Sequence, residues 1–222
     1  MRKDSIVPRL GIFDSGIGGE AVAAALRLTF PDATITTVND RHNVPYGNKT
    51  PSEVVRLTDT AIQPLLQEGY DIIILACNTA TALAIEQLRQ RYPTQKFIGI
   101  EPMIKTAAHL TRSQCIAVCA TPATLDSQRY RNLIQHYGTT LDVIEPDCQQ
   151  WASLIENNQL NHAQVAEVIN DACRRGADVI VLGCTHYHWI KDTISELAAG
   201  RALILEPSEA IGRRVEQLLS AP

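Results

Sequence analysis

Asp71-Ile-Ile-Ile-Leu-Ala-Cys77-Asn78-Thr79-Ala80 is written a second time in this chain, as Asp178-Val-Ile-Val-Leu-Gly-Cys184-Thr185-His186-Tyr187. Four aliphatic residues between an acid and a cysteine have the length and composition of a strand buried on both faces. The acids and the cysteines of the two copies lie 107 residues apart, and Gly69 and Gly176 keep the same offset upstream. A constant offset across a strand and its following turn marks an internal duplication. It implies two similar α/β halves, each delivering one thiol from the end of a strand.

Outward from these strands the pattern alternates. Leu10–Phe13 reads as a first strand that ends at Asp14-Ser15-Gly16-Ile17-Gly18-Gly19, followed by a helix over 20–28 and a strand over 34–38. Thr50-Pro51-Ser52-Glu53 has the form of a capping box and predicts a helix to Gln67. A helix over 79–91 and a strand over 97–100 close the first half. The second half repeats the order: a strand over 115–119, a helix over 125–136, a strand over 141–144 and a short helix over 151–156. Asn161 then caps a helix to Arg174, the second cysteine strand follows, a helix begins after His188, a strand covers 203–205, and Ser208 caps a helix to Leu219. The duplication reaches the first strands too, since Asp14 and Thr121 are also 107 apart. Strict alternation predicts an α/β fold of two pseudo-symmetric doubly wound domains with mainly parallel sheets. The expected lobes are 1–103 plus 207–222, and 104–206, with the active site in the cleft between them.

Composition narrows the function. The 222 residues carry a net charge of −4 and a pI near 5.9, which offers no electrostatic footprint for nucleic acid or an anionic membrane. No apolar run reaches the roughly 18 residues of a membrane span, and Met1-Arg2-Lys3-Asp4 does not open a signal peptide. A cytoplasmic protein is expected, its six cysteines reduced. Cys115 and Cys119, four apart on one strand, have no second Cys/His pair with zinc-ligand spacing, so no metal is expected.

Parallel sheets bind ligands beyond the carboxyl ends of their strands. Asp14, Ser15, Cys77, Asn78, Thr79, Thr121, Cys184, Thr185 and His186 all fall at such ends. Halves facing across a cleft bring two thiols to one ligand from opposite sides, which suits removal of a proton from one face of a carbon and its return to the other. A thiol at the start of a helix is expected to have a depressed pKa. Asp14 and His186 are natural partners for tuning the two thiols, and Ser15, Asn78, Thr79 and Thr185 could hold carboxylate and amine groups. The glycines of Asp14–Gly19 lack the dinucleotide-loop spacing and are expected to allow close backbone approach to a small ligand. Cys115, Cys119, Cys148 and Cys173 read as small hydrophobes, His42, His109, His136, His162 and His188 as surface or helix-end residues, and Trp151 and Trp189 as packing residues.

The motifs Phe13-Asp-Ser-Gly-Ile-Gly-Gly19, Val44-Pro-Tyr-Gly-Asn-Lys-Thr50, Ala76-Cys-Asn-Thr-Ala80, Ile100-Glu-Pro102, Ala120-Thr-Pro-Ala-Thr124 and Leu182-Gly-Cys-Thr-His-Tyr187 make the chain resemble the glutamate racemases, of the cofactor-independent aspartate/glutamate racemase superfamily. The resemblance covers nearly the whole chain. It implies a two-base 1,1-proton transfer at Cα without pyridoxal phosphate or another cofactor, supplying D-glutamate for peptidoglycan, in a homodimer. By that resemblance Cys77 takes the proton from the D-enantiomer with help from Asp14. Cys184 takes it from the L-enantiomer with help from His186 and Glu156. Ser15, Tyr46, Gly47, Asn78, Thr79, Thr121 and Thr185 match ligand-contacting positions. Departures from the family pattern stand at Glu20, at Asn39-Asp-Arg-His-Asn43 and at His188-Trp189. The alternatives are a racemase for aspartate or another acidic amino acid, a related decarboxylase or cis-trans isomerase, and a racemase-like binder without turnover.

Overall fold

The computed structural model describes residues 7–220. Met1 to Ile6, and Ala221 and Pro222, which the expected first lobe includes, lie outside the described residues. Strands β1 (Arg9–Asp14), β2 (Thr34–Asn39), β3 (Ile72–Leu75) and β4 (Lys96–Gly99) form one sheet in the order β2-β1-β3-β4. Strands β5 (Cys115–Ala120), β6 (Asp142–Ile144), β7 (Val179–Gly183) and β8 (Leu203–Leu205) form the other in the order β6-β5-β7-β8. Every pairing is parallel. The duplication seen in the sequence is therefore a repeat of topology, and the two cysteine strands hold equivalent inner positions.

Both inner strands are buried along their whole length, which is why they carry no polar residue. Alternation assigns their faces. Ile73 and Leu75 of β3 pack with α2 (Pro51–Gln67) and α3 (Asn78–Arg91), while Ile72 and Ile74 pack with α1 (Gly18–Thr29) and α10 (Ser208–Ser220). In the second sheet Ala117, Cys119, Ile180 and Leu182 meet α7 (Trp151–Glu156), α8 (His162–Arg174) and α9 (Lys191–Ala198). Ile116, Val118, Val179 and Val181 meet α4 (Ile104–Leu110) and α6 (Gln128–Tyr137). Helix α2 starts where the sequence places it, with Thr50 and Glu53 forming a reciprocal capping box.

In each sheet the chain leaves the first strand to one side and returns to the other, so a topological switch lies between β1 and β3 and between β5 and β7. Ligand sites of doubly wound sheets form at these points. The residues there are Asp14 and Cys77 in one half, and Thr121 and Cys184 in the other.

Three local expectations need correcting. The helix predicted over 125–136 is broken: α5 (Pro122–Leu125) stops and α6 begins at Gln128, because the Ser127 hydroxyl accepts from the Tyr130 N–H at 3.1 Å and donates to the Thr124 carbonyl at 2.6 Å. Helix α4 occupies a stretch for which no element was predicted. Cys184 is followed by a 3-10 segment, Thr185–Ile190, and the regular helix starts only at Lys191. A further correction falls at the last helix, where Ser208 is the first helical residue rather than the cap and its N–H donates to the Glu206 carboxylate at 2.8 Å.

Candidate active site

The first thiol caps a helix. Cys77 has extended backbone at the N-terminus of α3, and its Sγ accepts from the Ala80 N–H at 3.4 Å. Its other partner is the Ser15 hydroxyl, 3.3 Å away at the end of β1. Asp14, fully buried, stands one residue behind. Its Oδ1 accepts from the Gly16 N–H and its Oδ2 from the Thr185 hydroxyl, both at 2.7 Å, and Thr185 belongs to the other half. Asp14 thus touches Cys77 through Ser15 and through its charge rather than by a hydrogen bond of its own.

The second thiol has an imidazole for a partner. Cys184 Sγ lies 3.8 Å from His186 Nδ1, and His186 Nε2 lies 2.9 Å from Glu156 Oε2. A carboxylate only accepts, so Nε2 carries a proton toward Glu156, which in the neutral ring leaves the Nδ1 lone pair facing the thiol. The Ile17 N–H, at 3.1 Å from the same carboxylate oxygen, and Arg41 Nε, at 2.7 Å from the other, complete the environment of Glu156. Both come from the first half.

Between the thiols lies a small cavity of about 10 Å³. Cys77, Cys184, Ser15, Tyr46, Gly47, Asn78, Thr79, Thr121, Thr185 and His186 line it, together with Val44, Pro45 and Ala152. Every site residue named from the sequence is at this wall except Asp14 and Glu156, which hold the wall from behind. Thr79, Thr121 and Thr124 form a triangle of hydroxyls across the two halves, with Thr79 and Thr121 at 2.9 Å. Asn78 is the exception to this mutual satisfaction. It is 3% exposed, and neither its amide nitrogen nor its oxygen has a partner. A buried primary amide without hydrogen bonds is costly, so its place at the cavity wall marks where a polar ligand group would sit.

Burial reverses the expectation of acidic thiols. It pushes Cys77 up to about 11, with the charge of Asp14 adding to the effect and the Ser15 and Ala80 donors opposing it. Cys184 is raised further, again by burial first and then by the charge of Cys77. Asp14 is raised to about 6 by burial, although His186, Thr185 and Gly16 all favour its ionised form. Glu156 goes the other way: burial would raise it, but the hydrogen bonds from Arg41, His186 and Ile17 hold it below the ordinary glutamate range. Helix-start amides alone therefore do not set these thiols; the closed cleft does.

Of the glycines of Asp14–Gly19, Gly16 and Gly18 serve the contact between the halves, while Gly19 packs on Asp14 and Asn39 of its own half. A Cβ on Gly16 would stand 2.5 Å from His186 Nε2 and 2.7 Å from Glu156 Oε2, and one on Gly18 would stand 2.5 Å from the Thr185 side chain. The departures at Glu20 and Asn39 pair with one another: Glu20 Oε1 accepts from the Asn39 amide nitrogen and the Thr37 hydroxyl, both at 2.7 Å, while the Asn39 amide oxygen has no partner. Trp151 packs edge-on against Tyr187, as expected of a packing residue. Trp189 does not, being 54% exposed with its indole N–H on the Ile17 carbonyl at 3.4 Å. His188 sits in the last turn of the 3-10 segment, in line with a helix-end reading, and is half-buried with an unpartnered Nε2. In the sequence Arg41 stands out only as part of an unusual loop, since nothing in its neighbours points to a glutamate 115 positions away.

All six cysteines are free thiols. Among the described residues no group of three or more His, Cys, Asp or Glu side chains is placed to hold a metal ion, and no helix is long and apolar enough to cross a membrane.

Residues 20–211 match the family described as Asp/Glu/Hydantoin racemase. A glutamate racemase of Herpetosiphon aurantiacus is 35% identical over 216 residues, covering 96% of this chain and 85% of its own length. The crystal structure of Escherichia coli glutamate racemase in complex with L-glutamate and the activator UDP-MurNAc-Ala superposes with a TM-score of 0.87 at 26% identity, over 98% of this chain and 85% of that one. The Francisella tularensis glutamate racemase in complex with D-glutamate gives a TM-score of 0.80 at 26% identity, over 96% and 81%.

Proposed function

We propose that this chain, which belongs to the Asp/Glu/hydantoin racemase family and is accordingly an isomerase, interconverts L- and D-glutamate by a two-base transfer at Cα. The observation that carries the reading is a single one: two thiols from equivalent strand ends of opposite halves line the same cavity. With L-glutamate bound, the Cys184 thiolate takes the Cα proton, and the electron pair left on Cα delocalises into the substrate carboxylate. The Cys77 thiol then delivers its proton to the opposite face. D-glutamate leaves with Cys184 protonated and Cys77 a thiolate, the state from which the reverse reaction starts.

The electrostatics favour this division of labour. Each turnover needs one thiol and one thiolate. Charge on Cys77 raises the pKa of Cys184, so the buried pair resists double ionisation, which keeps a single proton available to it. His186, oriented by Glu156, is placed to take the Cys184 proton at Nδ1, and the resulting imidazolium stabilises the thiolate. At Cys77 the Ser15 hydroxyl and Ala80 N–H do so, with Asp14 holding the Ser15 turn. Asn78 and the free amides at the start of α3 suit the substrate carboxylates, with Thr79, Thr121 and Thr185 beside them. The lobes that close on the substrate are 1–103 with 207–222, and 104–206. We place the enzyme in the cytoplasm, as a homodimer, supplying D-glutamate for peptidoglycan without a cofactor.

The test follows the circular dichroism of pure L-glutamate, with L-aspartate alongside, while nuclear magnetic resonance records solvent deuterium entering at Cα. Loss of signal from glutamate with deuterium uptake is the expected result, and Cys77→Ser and Cys184→Ser should each lower the rate by about 10³-fold or more. Racemisation of aspartate alone would move the substrate assignment. Binding of glutamate without exchange, or full activity in either variant, would refute the reaction.

A further inference from the structure

The carboxylate that orients His186 is itself gripped from across the cleft. Arg41 follows β2 in the first half, and its Nε donates to Glu156 Oε1 at 2.7 Å. The Arg41 side chain is 62% exposed and that of Glu156 only 6%. A pair with one partner so exposed adds little to folding stability, so its consequence lies in what Glu156 does next.

The loop around Arg41 is built to aim it. The Asp40 carboxylate accepts from the Tyr46 hydroxyl at 2.7 Å and from the Asn43 amide at 3.0 Å. The Asp40 N–H reaches the Asp14 carbonyl at 2.9 Å. The chain is thereby pinned on both sides of Arg41, and the guanidinium is left to cross the cleft. Its target then sets the state of the imidazole. While Glu156 is an ionised acceptor, His186 donates to it from Nε2, and the neutral ring then presents its Nδ1 lone pair to the Cys184 thiol. Without Arg41 one carboxylate oxygen loses its charged partner in a buried place, and the group is freer to turn or to take a proton. Either change removes the reason for His186 to keep that tautomer.

We propose that Arg41 is a positioning residue for Cys184: from the opposite half it fixes the Glu156 carboxylate, which fixes the face that His186 shows to the thiol. The inference deepens the racemase reading and rests on it for the meaning of Cys184 as a base. Cys77, whose partners are Ser15 and Ala80, stands outside this chain of contacts. Arg41 therefore acts on one thiol of the two. Enantiomers have equal free energy, so kcat/KM must fall equally in both directions whichever side is damaged. A one-sided effect is visible only in the reactivity of the individual thiols.

The experiment alkylates the full-length protein with iodoacetamide at mildly alkaline pH and measures the rates at Cys77 and Cys184 separately by peptide mass spectrometry. Wild type, Arg41→Ala and Arg41→Lys are compared, with glutamate racemisation followed in parallel. The expected result is a Cys184-to-Cys77 rate ratio lowered on the order of tenfold in Arg41→Ala, and partly restored by lysine. Racemisation should fall by a comparable factor from either enantiomer. An unchanged ratio overturns the proposal, including the case in which both rates rise together because the cleft has merely opened. Should the alanine variant not fold, Arg41→Gln, which keeps a donor but no charge, is read in the same way. A lowered ratio in a protein whose wild type does not racemise glutamate would leave Arg41 its role and remove the glutamate reading instead.

Discussion

Asp14 concentrates the chemistry of the cleft in one carboxyl. It joins the halves through Thr185, braces the turn that carries Ser15, and holds its proton to about pH 6 against an ordinary value of 3.8. The sign of the consequence is definite. A carboxyl whose folded pKa is raised contributes stability that is present below the unfolded value and is lost as pH rises through the folded one, here roughly 3 kcal/mol between about pH 4 and 6. Asp14→Asn should remove that loss. Relative to wild type, its unfolding free energy should gain on the order of 2 to 3 kcal/mol as the pH is taken from near 4 to near 7, measured by urea denaturation. Its racemisation should fall on the order of a hundredfold. At this scale much was legible beforehand. Cys77, Cys184, Thr121 and Asp14 were marked by a repeat of 107 positions, and the structure seats the two thiols and Thr121 at one cavity, with Asp14 behind it. The state of the thiols was not legible, because helix position is local and readable while burial depends on how tightly two distant halves close.

Among the elements, the turn from β1 to α1 carries the contact between the halves. Gly16 and Gly18 lie against Glu156, His186 and Thr185 with no room for a Cβ. Gly16→Ala should therefore leave both sheets intact and displace His186 from Cys184. A misplacement of about 1 Å at a reacting group costs on the order of a hundredfold in rate, and that is the loss expected, with far-ultraviolet circular dichroism unchanged. Retained activity in a folded Gly16→Ala protein would show that the His186 contact is not needed. The same turn shows why part of the architecture escaped the sequence. Glycine spacing announces that something approaches closely, but not whether it is a ligand or the other half of the chain. Ser127 is a similar case: a serine within an apolar helical pattern is compatible with either a continuous helix or a new cap, and its hydrogen bonds to Thr124 and Tyr130 decide for the cap. The strands presented no such ambiguity, since a run such as Ile72–Leu75 can be satisfied only where both faces are covered.

For the whole molecule the two halves are unlike in the detail that matters. Topology repeats, yet Cys77 caps a regular helix and has a serine hydroxyl and a backbone amide for hydrogen-bond partners, while Cys184 precedes a 3-10 segment and leans on an imidazole–carboxylate pair. On the proposed two-base reading unequal supports are chemically reasonable, because L- and D-glutamate present the same carbon with its proton on opposite sides and the rest of the ligand fixed. Across the seam the halves hold one another by Thr185 on Asp14, Thr79 on Thr121, and Arg41 and Ile17 on Glu156. Each of these joins a site residue to its counterpart half, so closure and chemical competence come together. The most direct test of that claim is the isotope at Cα in the first turnovers of L-glutamate in deuterium oxide, with the enantiomers separated before analysis. Two bases on opposite faces require that the newly formed D-glutamate carry solvent deuterium while the remaining L-glutamate is still protiated. D-glutamate that retains the substrate's own proton, or deuterium entering both enantiomers at the same rate from the start, would contradict it.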